Sequence, residues 1–156
     1  DGSEAVSKIL LDLLNKFPGL ATGKKSILFS TLSDASGIGF FPISGAALQN
    51  STEDVTGHVT QVCQYPFNVV YRAAPKSETQ RIRIKEFLDA LGKWLERQPV
   101  TLNGKSHQLS AYPALLAGNR VIKKISRQAY LNSAYQDGVE DWLIALRLDY
   151  NNEFDI

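Results

Sequence analysis

Hydrophobic residues along the chain switch between two repeats, and the switches divide it into elements. Val6, Ile9, Leu10, Leu13, Leu14 and Phe17 fall at the spacing that gathers side chains on one face of a helix. Ser3 stands where an N-cap belongs, and Pro18-Gly19 stops the run. A sharper helix follows Pro75. Ser77-Glu78-Thr79-Gln80 matches a capping box, with the Ser77 hydroxyl accepting from the Gln80 backbone while the Gln80 side chain reaches back. Ile84, Phe87, Leu88, Leu91 and Leu95 then make one stripe, so this helix is expected to run to about Arg97, with Pro99 just beyond it.

Elsewhere the repeat is two. Residues 26–30 and 38–43 read as short strands with Asp34-Ala35-Ser36-Gly37 as the turn between them, and Pro42 favours an edge or a strand end. Residues 58–73 form a long strand region. Val59, Gln61, Cys63 and Tyr65 share one parity, and Phe67, Val69 and Tyr71 alternate after Pro66, where a bulge or kink is expected. Leu102-Asn103-Gly104-Lys105 is a turn, while residues 106–118 favour no single state, Tyr112-Pro113 being locally extended. Residues 121–130 alternate imperfectly and read as a strand, and Gln136-Asp137-Gly138 signals a tight turn. The last strand is plain. Trp142, Ile144, Leu146, Leu148 and Tyr150 point one way, and Leu143, Ala145, Arg147 and Asp149 point the other, toward a face at least partly wet. Residues 44–57 are small and polar without a period, and read as a flexible loop or excursion.

This order predicts an α+β fold: a mostly antiparallel sheet of about four to six strands with two main helices packed on it. Residues 1–156 read as a single domain, a length that supports a core without a metal or disulfide staple. The lone cysteine, Cys63, excludes an internal disulfide and reads as a small apolar strand residue. No apolar run is long enough for a membrane span. Asp1-Gly2-Ser3-Glu4 lacks the order of a signal peptide and the sequence has no methionine, so synthesis in the cytosol is expected. A net charge of +1 argues against a global pull toward nucleic acid or membrane.

Tests for chemistry fail for identifiable reasons. Gly19-Leu20-Ala21-Thr22-Gly23-Lys24-Lys25-Ser26 is close to a phosphate-binding loop, but its glycines are one residue too close and it leads into a strand. Gly37-Ile38-Gly39 lacks a third glycine and opens no helix. His58, His107 and Cys63 match no closed zinc pattern. No G-x-S-x-G elbow is present, and Glu140-Asp141 reads as the solvated end of a hairpin. These failures predict no catalytic residues, no cofactor and no metal; the chain is expected not to be an enzyme. Arg72, Lys76, Arg81, Arg83 and Lys85 are interleaved with acids, as on an ion-paired helix face, and Lys123, Lys124 and Arg127 sit in a late strand. The aromatic residues exceed what a domain this small hides easily. Tyr65, Phe67, Tyr71, Tyr130, Tyr135, Trp142 and Tyr150, with Arg72, are therefore the candidates for subunit interfaces.

The strand Phe67-Asn68-Val69-Val70-Tyr71-Arg72, the break at Ser77-Glu78, and the helix ending Phe87-Leu88-Asp89-Ala90-Leu91-Gly92-Lys93-Trp94-Leu95 carry a resemblance. So does Tyr135-Gln136-Asp137-Gly138-Val139-Glu140-Asp141-Trp142 leading into Asp149-Tyr150. Over residues 58–150 the chain resembles a family of minor capsid proteins in tailed phages of Gram-positive bacteria. Its element order is also similar to that of phage tail terminator (tail completion) proteins. The resemblance implies a structural virion subunit, made in the bacterial host cytoplasm. Its homo-oligomer, commonly a hexamer, would form a ring at the head–tail joint. Its partners would be tail-tube and head-connector proteins, with DNA passing through the ring and no membrane involved. A ring needs head-to-tail contacts, so two different surfaces of one subunit must match. Two other readings stay open: a small enzyme with an unrecognised site, and a host-directed module that binds protein or nucleic acid.

Overall fold

Two long antiparallel strands form the spine of the protein. The structure is a computed structural model and describes residues 3–20, 27–29, 32, 36–43, 47–113, 120–135 and 137–156. Helix α1 spans Ser3–Leu14 and is followed by a short 3-10 turn at Pro18–Leu20. Strands β1 (Ile27–Phe29), β2 (Gly37–Pro42), β3 (Ala47–Glu53) and β4 (His58–Ala73) come next. Helix α2 (Glu78–Leu95) leads to a small hairpin, β5 (Val100–Leu102) and β6 (Lys105–His107). Strands β7 (Arg120–Ala134) and β8 (Glu140–Asp155) close the chain.

The main sheet runs β1-β2-β4-β8-β7, and β3 lies beside the first half of β4, on the edge whose second half is taken by β2. All its pairings are antiparallel except β1 with β2. The fold is therefore α+β with a mostly antiparallel sheet of six strands and two α-helices. Register explains which residues the helices cover. Cys63, Tyr65, Phe67, Val69 and Tyr71 of β4 stand opposite Tyr150, Leu148, Leu146, Ile144 and Trp142 of β8. Strand alternation puts all ten on one face, and nine of them are buried, Trp142 packing half-buried at the rim.

Both helices close over that face. The α1 stripe of Val6, Leu10, Leu13 and Leu14 is buried, as are Ile84, Leu88, Leu91, Trp94 and Leu95 of α2. Phe17 ties the two together, with ring centroids 5.5 Å from both Phe87 and Trp94. Helix α2 approaches the sheet closely at Gly92, where a Cβ would fall 2.9 Å from the Ile144 Cδ1 atom and 2.4 Å from the Arg127 Cδ atom. Only a glycine lets the helix backbone come so near.

Local chemistry sets the element ends. The Ser77 Oγ atom accepts from the Gln80 N–H at 3.2 Å, as the capping box requires, but the Gln80 side chain reaches back to the Lys76 N–H rather than to Ser77. At the other end Gln98 N–H bonds the Lys93 carbonyl and Arg97 N–H bonds the Trp94 carbonyl. That pair is a Schellman motif, with Arg97 in the left-handed position at φ 64°. The helix therefore ends at Leu95, not at Arg97. Asn103 and Gly104 both have positive φ, which matches the twist of the two-residue turn joining β5 to β6.

Three expectations are corrected. Residues 47–53 are not a loop: they form β3 and pair with residues 59–64 of β4. Their sequence has no strand-like alternation, so the pairing comes from the free edge of β4, not from local preference. Pro66 neither kinks nor bulges β4, whose register with β8 runs unbroken through Pro66 opposite Arg147. The Pro66 carbonyl accepts from Ile43 N–H at 3.1 Å. A strand residue directs both backbone groups to one side, so the missing N–H faces the junction of β2 and β3 and the ladder to β8 loses nothing. Finally, β1 and β2 are parallel, Ile27 standing beside Ile38, so they do not form a hairpin. Residues 34 and 35 of the expected turn, residues 26, 30, 44–46 and 136, and the side chain of Ser3 lie outside the described residues.

Candidate assembly surfaces

Strand β7 ends the sheet on one side. Part of its outer edge is capped from within the chain. Ile125 N–H donates to the Tyr112 hydroxyl at 3.2 Å, and Arg127 N–H donates to the Glu96 carboxylate at 3.0 Å. Beyond a bulge at Arg127/Ala129 the register with β8 is regular to Ala134. Tyr135 N–H donates to the Val139 carbonyl, on the β8 side. Alternation from there turns the backbone groups of Tyr130, Asn132 and Ala134 outward. Among the described residues no further strand pairs with them. Two large side chains sit on this stretch: Leu131 is 62% exposed and Tyr130 40%.

The hairpin that carries this edge is pinned at its turn end. Arg72 holds both oxygens of Asp141, at 2.7 and 2.8 Å, and the Tyr135 hydroxyl donates to the same carboxylate at 2.8 Å. The Arg72 guanidinium also lies 5.8 Å from the Tyr135 ring centroid. Next to it, Arg81 of α2 donates to Glu140 at 2.9 Å. The hydrogen bond from Arg72 holds the Asp141 carboxyl below its usual range against the opposing effect of burial, and Arg81 does the same for Glu140. Glu140 and Asp141 are thus not a solvated hairpin end. They clamp β4, α2 and the β7–β8 hairpin together.

The interface candidates divide sharply. Tyr65, Phe67, Tyr71 and Tyr150 lie in the core, so their rings are occupied within the monomer. Trp142 packs half-buried against the same cluster, and Arg72 is engaged with Asp141. Tyr130 and Tyr135 remain exposed, both on or beside β7. The residue that sequence reasoning passed over is Leu131. The strand read from the sequence stops at residue 130, whereas β7 runs to Ala134 past a bulge at Arg127/Ala129, and nothing local shows that β7 is the outermost strand.

The helix-free face carries a polar row. Arg147 Nε lies 3.0 Å from Asp149 Oδ1, and Lys124 Nζ lies 4.0 Å from Asp149 Oδ2. Asp149 itself is buried, so the face is drier there than expected.

The residues considered for chemistry do not converge. Cys63 is buried and outside any disulfide on the core face of β4. His58 starts β4, where its ring contacts Asp155 at 2.9 Å and Glu153 at 3.6 Å, while His107 lies on β6 in the other sheet. Among the described residues no group of three His, Cys, Asp or Glu side chains is placed to hold a metal. A cleft of about 630 Å³ opens between α2, the 3-10 turn and β5. Arg83, Glu86, Asp89 and Lys93 line it in mixed charge, without either histidine. No helix among the described residues is long and apolar enough to cross a membrane.

No protein-family model matches this sequence, and the search of curated proteins finds no match either.

Proposed function

We propose that this chain is a structural virion-assembly subunit, of the tail terminator or minor capsid kind, that works as a ring of copies at the head–tail joint of a tailed phage. The observation that carries the self-association is the open half of β7. A strand edge with outward backbone groups and exposed Tyr130 and Leu131 is a template for another chain. Sheets that act alone blunt such an edge with charge, proline or a cover, and here the blunting stops at Arg127. The assignment to a phage joint rests on the resemblance over residues 58–150, which the α+β order of long strand, helix and hairpin supports.

The role is tested by mixing purified chain with isolated phage tail tubes and imaging the tubes by negative-stain electron microscopy. Rings capping one end of the tubes are expected. Bare tube ends at saturating chain, with no rings in the background, would sink the proposal.

A further inference from the structure

The two edges of the main sheet match each other rung by rung. Following the register across the sheet, Phe29 of β1 stands level with Phe40, Val69, Ile144 and finally Tyr130 of β7. The next rung runs from Leu28 through Gly39, Val70 and Leu143 to Leu131. Both ends of both rungs are exposed and apolar: Phe29 is 47% exposed and Leu28 48%, against the values already given for Tyr130 and Leu131. Alternation also puts Phe29 and Tyr130 on the helix side, and Leu28 and Leu131 on the other.

The backbone parity agrees as well. Asn15, just after α1, binds both backbone groups of Ile27, donating to its carbonyl at 3.0 Å and accepting from its N–H at 2.7 Å. Those groups therefore face away from β2, and so do the groups of Phe29 two residues on. Phe29 and Tyr130 thus end the same rung with outward hydrogen-bonding groups. Asn15 blunts the β1 edge beside the matched rung, as Glu96 and Tyr112 blunt β7.

Charge follows the same division. Between Lys25 and Arg72 the sequence has no lysine or arginine, and between Glu96 and Asp137 it has no aspartate or glutamate. The first span supplies the β1–β3 edge and the second supplies β7. By register Lys124 of β7 is level with Ala47 at the start of β3, and the exposed acids Glu53 and Asp54 lie at and just past the other end of that strand, so the match is one of overall border charge rather than of facing pairs.

We propose that copies of this chain join head to tail, the β7 edge of one copy meeting the β1–β3 edge of the next. This rests on the ring reading above and names its joint. Rotation about an axis along the strands brings the two ends of each rung together with no axial shift. It also makes β7 antiparallel to the incoming β1, the pairing that outward groups at Phe29 and Tyr130 suit. Strand β3 lies one strand nearer the spine than β1, leaving a gap of about 4.8 Å beside it. The alternative of β7 against β7 sets two basic strands side by side, which like-charge repulsion disfavours.

Two edge variants test the joint. Leu131→Lys spoils only the β7 edge, and Leu28→Lys spoils only the β1 edge; both positions are exposed, so the fold tolerates lysine. Each variant alone should lose the oligomer and run as a monomer by light scattering. An equimolar mixture should recover a species of two chains and nothing larger, because the mixture retains one intact joint. Recovery of the pair also proves that both variants fold. If either variant alone keeps the wild-type mass, or the mixture stays monomeric, while wild-type rings form, the joint is wrong and the ring reading stands. A wild-type chain that is monomeric under all conditions removes both.

Discussion

Arg127 of β7 and Glu96 at the end of α2 are joined through backbone and side chain: the Arg127 backbone N–H reaches the carboxylate at 3.0 Å, its Nε at 3.1 Å and its Nη2 at 3.0 Å. The contact links the outermost strand to the helix layer and closes part of the strand edge. Glu96→Ala leaves the N–H and the guanidinium without their acceptor in a part-buried place. It should cost about 1–3 kcal/mol, read as a lower urea midpoint at unchanged slope.

The same pair sets a pH dependence. Burial alone would push the Glu96 carboxyl up, but the hydrogen bonds from Arg127 outweigh it and hold it below its ordinary value of 4.5. A depressed carboxyl binds fewer protons when folded than when unfolded, so its contribution is complete above that ordinary value. It is lost as pH falls through the lowered one. Glu140 and Asp141, held down by their arginines, act in the same direction. Stability measured by urea titration should therefore decline with acid from about the ordinary carboxyl range downward. Glu96→Gln should make that decline shallower. An unchanged slope would mean that Glu96 titrates alike in both states.

Tyr112 bridges the same two elements, its hydroxyl donating to the Leu95 carbonyl at 2.7 Å and accepting from Ile125 N–H at 3.2 Å. Tyr112→Phe keeps the ring and strands both backbone groups. A loss of about 1–3 kcal/mol is expected, with faster amide exchange at Ile125. A neutral result would show that water replaces the hydroxyl at no cost.

Gly92→Ala sets two effects against each other. Helix preference favours alanine by about 1 kcal/mol, whereas the new methyl must displace Ile144 in the core and Arg127 beside it. Overpacking of this kind costs about 1–3 kcal/mol. Calorimetry should show a lower Tm, and a raised one would contradict the close helix–sheet approach.

At the far end of the spine the sign of the pH effect reverses. The hydrogen bond to Asp155, aided by Glu153, raises the His58 imidazole above its ordinary 6.5. What it adds to the pairing of the β4 and β8 ends is complete below that ordinary value and fades as pH rises through the raised one. An NMR titration should place the His58 midpoint above 6.5, and Asp155→Asn should bring it down.

How much of this was readable in the sequence depends on which physics acted. Helix α2 announces itself through Ser77, Gln80 and the Ile84–Leu88–Leu91–Leu95 stripe, because capping and helical spacing are local. Strand β8 is legible for the same reason, since alternation alone separates Ile144, Leu146 and Leu148 from Leu143, Ala145 and Arg147. Strand β3 is not, because Ala47–Glu53 is extended by the edge it pairs with. Pro66 misleads because its meaning depends on which neighbour its missing N–H faces. The aromatic residues mislead in part for a related reason: alternation puts Phe67 and Tyr71 on one face, but does not tell whether the helices expected on the sheet or another chain cover their rings. Tyr130 and Leu131 become informative only when sheet order makes β7 an edge. The same order turns a lopsided distribution of lysine, arginine and carboxylate along the chain into two complementary borders.

The account stands or falls on self-association. Light scattering of the full chain over a range of concentrations should give a single closed multiple of the 17.2 kDa monomer, formed more readily at low salt than at high. A mass that stays at 17.2 kDa at every concentration, with or without tail tubes present, would contradict it.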